Sequence, residues 1–318
     1  MKKLIIALAG VIMIGLIIAM IVYQKSPQIV HPQLGQTTAR QNHQQPQNNQ
    51  KQSQSEPLQP IYQDDKMAYA LQNNQLKITF DKGENWITVP VIIDQLFGGE
   101  YNGNKQELIE HSYILTKNRV AFLHPDDVIG DNQRVLLTYT LDQGKTWHDA
   151  VIAEQFPGLR YRKVAFLNDH FGYVVISGSR TMSQEYSTVY LTHDGGKSWS
   201  KTKEIGVTRL ISDGGFIDES TGFLSYGTIN PEEPDFYVTQ DGGKSWRKAK
   251  INIPSKYNKI FVTAEIPIKE GNHLDVLLNQ GPNGDYKGGK VKGKFISKDN
   301  GLTWEFSTEV KPDETEEG

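Results

Sequence analysis

Four of the eight arginines, Arg160, Arg162, Arg180 and Arg209, fall in the stretch 160–209. A guanidinium keeps its charge at any ordinary pH and presents a rigid fork of N–H donors, so several brought together would grip a carboxylate or phosphate bidentately. The competing reading is that they are loop charges paired with Glu185, Glu232 or Glu233. No other chemistry is better supported. His111, His124, His148, His170, His193 and His273 are scattered, with no two at metal-ligand spacing, and cysteine is absent. That excludes disulfides, thiolate catalysis and thiolate metal sites. The run Gly288-Gly289-Lys290-Val291-Lys292-Gly293 lacks the spacing of a phosphate loop. No metal or cofactor is expected. Whether the arginines meet depends on the elements that carry them.

Those elements are announced by one motif written five times. Thr79 to Trp86 reads TFDKGENW, Thr140 to Trp147 TLDQGKTW, Thr192 to Trp199 THDGGKSW, Thr239 to Trp246 TQDGGKSW, and Ser297 to Trp304 SKDNGLTW. All five tryptophans of the chain close a copy, and the spacing of roughly 50 residues calls for a repeat architecture. Each residue type suits a tight hairpin. The aspartates Asp81, Asp142, Asp194, Asp241 and Asp299 can accept backbone N–H bonds and hold the turn shut. Gly83, Gly144, Gly196, Gly243 and Gly301 supply a left-handed backbone. Trp86, Trp147, Trp199, Trp246 and Trp304 are expected to bury a large ring where the return strand starts. A second motif aligns Phe166-Leu167-Asn168-Asp169-His170-Phe171-Gly172-Tyr173 with Phe216-Ile217-Asp218-Glu219-Ser220-Thr221-Gly222-Phe223. An apolar strand, an acidic turn and Gly-aromatic is a hairpin signature.

The first motif resembles the Asp box, or bacterial neuraminidase repeat, of the sialidase-like β-propellers. The second resembles the first hairpin of each blade in the photosystem II assembly-factor family, and sortilin-type receptors share the Asp box. The resemblance implies an all-β propeller in which the boxes are fold elements remote from the ligand. Five boxes at four strands each predict five blades over 61–310. Box hairpins would then lie on one face, and the arginines, by counting strands, on the opposite face among the loops around the channel mouth. The segment through Phe97 and Gly103 reads as a long polar connection.

Outside the repeats, Met1-Lys2-Lys3 precedes an almost wholly apolar run, so 1–24 is expected to be a retained membrane anchor with its N-terminus inside. Residues 25–60, rich in Gln and Asn, are expected to be a flexible linker. Residues 311–318 read as an acidic tail. With 34 basic and 37 acidic residues, the balance argues against a nucleic-acid partner.

These readings predict a single-pass cell-membrane protein whose propeller faces the extracellular side and binds a protein or glycan partner, with an anionic group recognised by the arginines. The alternative is an exo-sialidase-like hydrolase. The resemblance then demands three arginines, a tyrosine nucleophile with its glutamate, and an aspartate acid/base. The first arginine belongs in a Tyr/Phe-Arg-Ile-Pro segment of the first blade, yet no arginine occurs between Gln41 and Asn118. Tyr161-Arg162-Lys163-Val164 is a poor substitute in the wrong blade.

Overall fold

The computed structural model describes residues 58–101, 103–127, 132–182, 184–227 and 229–311. The expected anchor, nearly all of the linker and the acidic tail lie outside them. Among the described residues no helix is long and apolar enough to cross a membrane. The strands form five sheets in chain order. Sheet 1 holds β1 (Ile61–Tyr62), β2 (Ala68–Gln72), β3 (Gln75–Thr79) and β4 (Ile87–Thr88). Sheet 2 holds β5 (Tyr113–Leu115), β6 (Val120–Pro125), β7 (Gln133–Thr140) and β8 (His148–Phe156). Sheet 3 holds β9 (Leu159–Phe166), β10 (Gly172–Thr181), β11 (Gln184–Thr192) and β12 (Ser200–Lys201). Sheet 4 holds β13 (Ile211–Phe216), β14 (Gly222–Tyr226), β15 (Asp235–Thr239) and β16 (Arg247–Lys248). Each is an antiparallel meander of four strands.

Sheet 5 is larger. Its β20 (His273–Asn279), β21 (Lys292–Ser297) and β22 (Thr303–Val310) follow the meander, with β18 (Thr263–Ala264) and β19 (Ile268–Glu270) sharing the inner edge. On the outer edge, β17 (Lys250–Asn252) pairs parallel to β22, setting Ile251 opposite Trp304. Parallel pairing from a distant segment has no local sequence signal.

All five boxes close the third hairpin of their sheets with the same bonds. Around Asp194, the Thr192 hydroxyl donates to the carboxylate (2.8 Å), Ser198 donates through its backbone N–H (3.0 Å) and its hydroxyl (2.6 Å), and the Gly196 N–H donates to the Thr192 hydroxyl (2.9 Å). The pattern repeats at Asp81, Asp142, Asp241 and Asp299. The tryptophans depart from expectation. Trp304 is fully buried, whereas Trp86, Trp147, Trp199 and Trp246 are half-buried. Trp304 has the rings of Phe223 and Phe236 on it and the extra strand β17 beside it.

Four apolar clusters join consecutive sheets: Ile78 and Leu96 with Phe122, Leu137 with Val164 and Ile176, Val175 with Leu224 and Tyr226, and Phe236 with Phe261 and Phe295. The second motif explains itself in this packing. A Cβ on Gly222 would lie 2.7 Å from the Phe216 ring, and one on Gly172 2.6 Å from Phe166. The acidic turns are capped alike, with Asn168 and Asp218 each accepting two backbone N–H bonds.

Candidate functional site

Because the third hairpin carries the box, the first hairpin of each sheet lies at the same end. The Gly195 N–H donates to the His170 carbonyl and that of Gly242 to Ser220, tying box to first hairpin. The second hairpins and the links between sheets therefore occupy the other end, as the strand count predicts. The arginines sit there: Arg160 and Arg162 on β9, Arg180 near the end of β10, and Arg209 just before β13.

Arg160 and Arg162 are on β9. Ser177 pairs with Tyr161 and Gly178 with Leu159, leaving Arg160 as an extra residue in a β-bulge. The bulge puts Arg160 and Tyr161 on one side, toward sheet 4, and sends Arg162 to the other. Arg160 donates from Nε and Nη2 to Glu185 and from Nη2 to the Ile211 carbonyl (2.9 Å). Glu185 is buried and also accepts from the Ser177 hydroxyl (3.0 Å) and the Ile211 N–H. Arg160 is thus half of a structural ion pair.

Arg162, expected on a solvent face, is 2% exposed. Its guanidinium donates to three carbonyls of one loop, Leu96 (3.3 Å), Gly98 (2.6 Å) and Tyr101 (3.1 Å). The loop follows the short helix α1 (Ile93–Leu96); the Phe97 and Gly98 N–H groups cap the Asp94 and Gln95 carbonyls, which leaves that of Leu96 for the guanidinium. This replaces the expected long polar connection: Leu96, Phe97, Leu108 and Ile109 are buried. Burial lowers the Arg162 pKa to about 10. Its Nε has no hydrogen-bond partner.

The remaining two are peripheral. Arg209 pairs with Asp235 (2.7 Å) while staying largely exposed. Arg180 is exposed, with Nε donating to the Met182 carbonyl (3.2 Å) and its backbone N–H to Glu100 (3.1 Å). The four do not share one pocket. Arg160 and Arg162 line a cavity of about 380 Å³ whose walls include Asn104, Glu107, His111 and Tyr161; Arg180 and Arg209 do not reach it.

Sequence reasoning missed the groups between sheets 3 and 4. Asp213 accepts from the Tyr161 hydroxyl (2.9 Å), the Lys163 ammonium (2.7 Å) and the Gly214 N–H (2.7 Å). Burial, then the neighbouring Asp213 charge, push the Tyr161 phenol far above its ordinary range; Tyr173 rises to about 12 for the same reasons. The alternation Tyr161, Lys163 on an inner strand was the available signal. Asp213 could not be matched to it without the register. Among the described residues no group of His, Asp and Glu is arranged to hold a metal.

Repeated four-stranded antiparallel meanders define a β-propeller module. The chain belongs to the DUF6242 beta propeller domain family, whose model matches residues 30–265. No curated protein matches. Among solved structures, a protein of unknown function from Dyadobacter fermentans aligns at 15% identity and TM-score 0.40, covering 62% of this chain and 67% of that one. A GH43_1 enzyme from Xanthomonas citri complexed with xylotriose aligns at 9% identity and TM-score 0.33, covering 63% and 72%. An ancestral GH74 enzyme aligns at 11% identity and TM-score 0.40, covering 79% of this chain but 31% of its own.

Proposed function

We propose that this is a membrane-tethered, extracytoplasmic binding propeller, non-catalytic, that receives an anionic group of a protein or glycan partner in the cavity floored by Arg162. The five Asp-box hairpins support placing it with the Asp-box propellers of the sialidase-like superfamily. One observation carries the binding reading. A buried guanidinium with an unpartnered Nε, and with no ion pair to a carboxylate among the described residues, lines a cavity at the loop end. Burying an unpaired ion is costly, and carbonyl dipoles offset only part of that cost. A bound carboxylate would complete the pairing. The exposed Glu107 and Glu110 at the rim favour a ligand whose remaining groups are hydroxyls or amines rather than further acids.

The test is calorimetric titration with glucuronate and N-acetylneuraminate. Binding is expected to weaken with salt, to fall at least tenfold in Arg162→Gln at unchanged fold, and to change little in Arg180→Ala. Binding indifferent to both salt and Arg162→Gln would refute the assignment.

A hydrolase of carboxylate-bearing sugars is the second reading, favoured by the Tyr161–Asp213 hydrogen bond. Two features oppose it. The Tyr161 pKa is raised where a nucleophile needs it lowered, and Lys163 occupies the same carboxylate oxygen a base would use. Release of 4-methylumbelliferone from its N-acetylneuraminide, abolished by Tyr161→Phe, would establish the hydrolase; no release leaves the binding module.

A further inference from the structure

Between sheets 4 and 5, at the same end as the Arg162 cavity but lined by none of its residues, lies a second cavity of about 290 Å³. Its floor is Gln280, 6% exposed. The amide nitrogen of Gln280 spends both hydrogens on the carbonyls of Tyr286 (2.9 Å) and Val291 (2.8 Å), which fixes the orientation of the amide. Its Oε1 is then an acceptor, and it is buried without a donor. Buried acceptors are nearly always satisfied, so this one asks for a donor from outside the chain. The missing side chain at Gly284 lets the loop pack against this amide: a Cβ there would lie 2.3 Å from the Gln280 Cβ and 3.0 Å from Oε1.

The walls add a matched set. Asn283 donates to the Asn230 carbonyl oxygen (2.9 Å), which leaves one amide nitrogen and one amide oxygen of the pair for a ligand. Asp285 adds acceptors, and Pro231, Pro282 and Ile260 supply apolar walls. Lys259 and Glu232 pair at 3.3 Å, so among the described lining residues no cation is left without a carboxylate. Alternating donors and acceptors beside flat apolar surface suit vicinal hydroxyls on an aliphatic ring. The volume, at the lower end of the roughly 300–1,000 Å³ usual for small-molecule sites, admits a single such unit. We propose that this cavity binds one neutral pyranose unit of a glycan, independently of the anionic site.

The experiment is saturation-transfer difference NMR on the protein with glucose, galactose, xylose and N-acetylglucosamine, followed by titration of the sugar that responds. At least one is expected to receive saturation, with affinity falling about tenfold in Asn283→Ala and in Asn230→Ala. Both residues are at the surface, so both variants should keep the parent melting temperature. Arg162→Gln should leave the response intact, which separates this site from the anionic one. No saturation transfer to any of the four, or a response unchanged in both asparagine variants, would overturn the proposal.

Discussion

A Cβ at position 222 would sit inside the van der Waals radius of the Phe216 ring, and the two residues are paired across β13 and β14. Gly222→Ala is therefore expected to cost about 1–3 kcal/mol, as overpacking does. Adding Phe216→Leu should recover part of that loss, read as the midpoint of denaturant unfolding. Additive losses would mean the contact is not the cause. The tryptophans make a second comparison. Trp304 is enclosed by Phe223, Phe236 and β17, so Trp304→Ala should lose about 3–5 kcal/mol. Half-buried Trp199, which meets Phe166 edge-on, should lose clearly less. Equal losses would contradict the role given to β17. Arg162 belongs at this scale too: its type announced carboxylate recognition, but its burial depends on a loop some 60 residues earlier, which no local pattern reveals.

At the scale of elements, the box hairpins hold their aspartates ionised. Hydroxyl and backbone donors of Thr146 and Ser245 keep Asp142 and Asp241 at about 2, and Asp194 is lowered further by Ser198. A carboxylate whose folded pKa lies below its unfolded value of about 3.9 stabilises the fold above that value and ceases to as pH falls through the folded pKa. The melting temperature is thus expected to drop between about pH 4 and pH 2, and Asp142→Asn should flatten part of the slope. A melting temperature constant over that window would contradict it. These hairpins were legible in the sequence because each is closed by residues within eight positions. The Phe–Gly hairpins were legible for the same reason. Pairing of an arginine with Glu185 was among the sequence readings; the bulge at Arg160 and the strand β17 were not. Each depends on register or on pairing between distant segments, where a shift of one residue turns a side chain to the other face.

For the whole molecule, the apolar run ahead of the propeller leads to a topological expectation. Protease added to intact cells should release the propeller by cutting within 25–60, with the fragment of 1–24 remaining in the membrane. Protection in intact cells and digestion only after lysis would place the propeller inside. On the proposed reading the face opposite the boxes would meet a partner, with Arg162 as the residue to follow. The most direct measurement follows its Nε–H in an arginine-labelled sample by proton–nitrogen correlation during titration with glucuronate. That signal is expected to move in step with binding and to vanish from the spectrum in Arg162→Gln. Saturation of the protein with glucuronate while the Arg162 signal stays still, and that of exposed Arg180 shifts instead, would contradict an anionic site at the cavity floor.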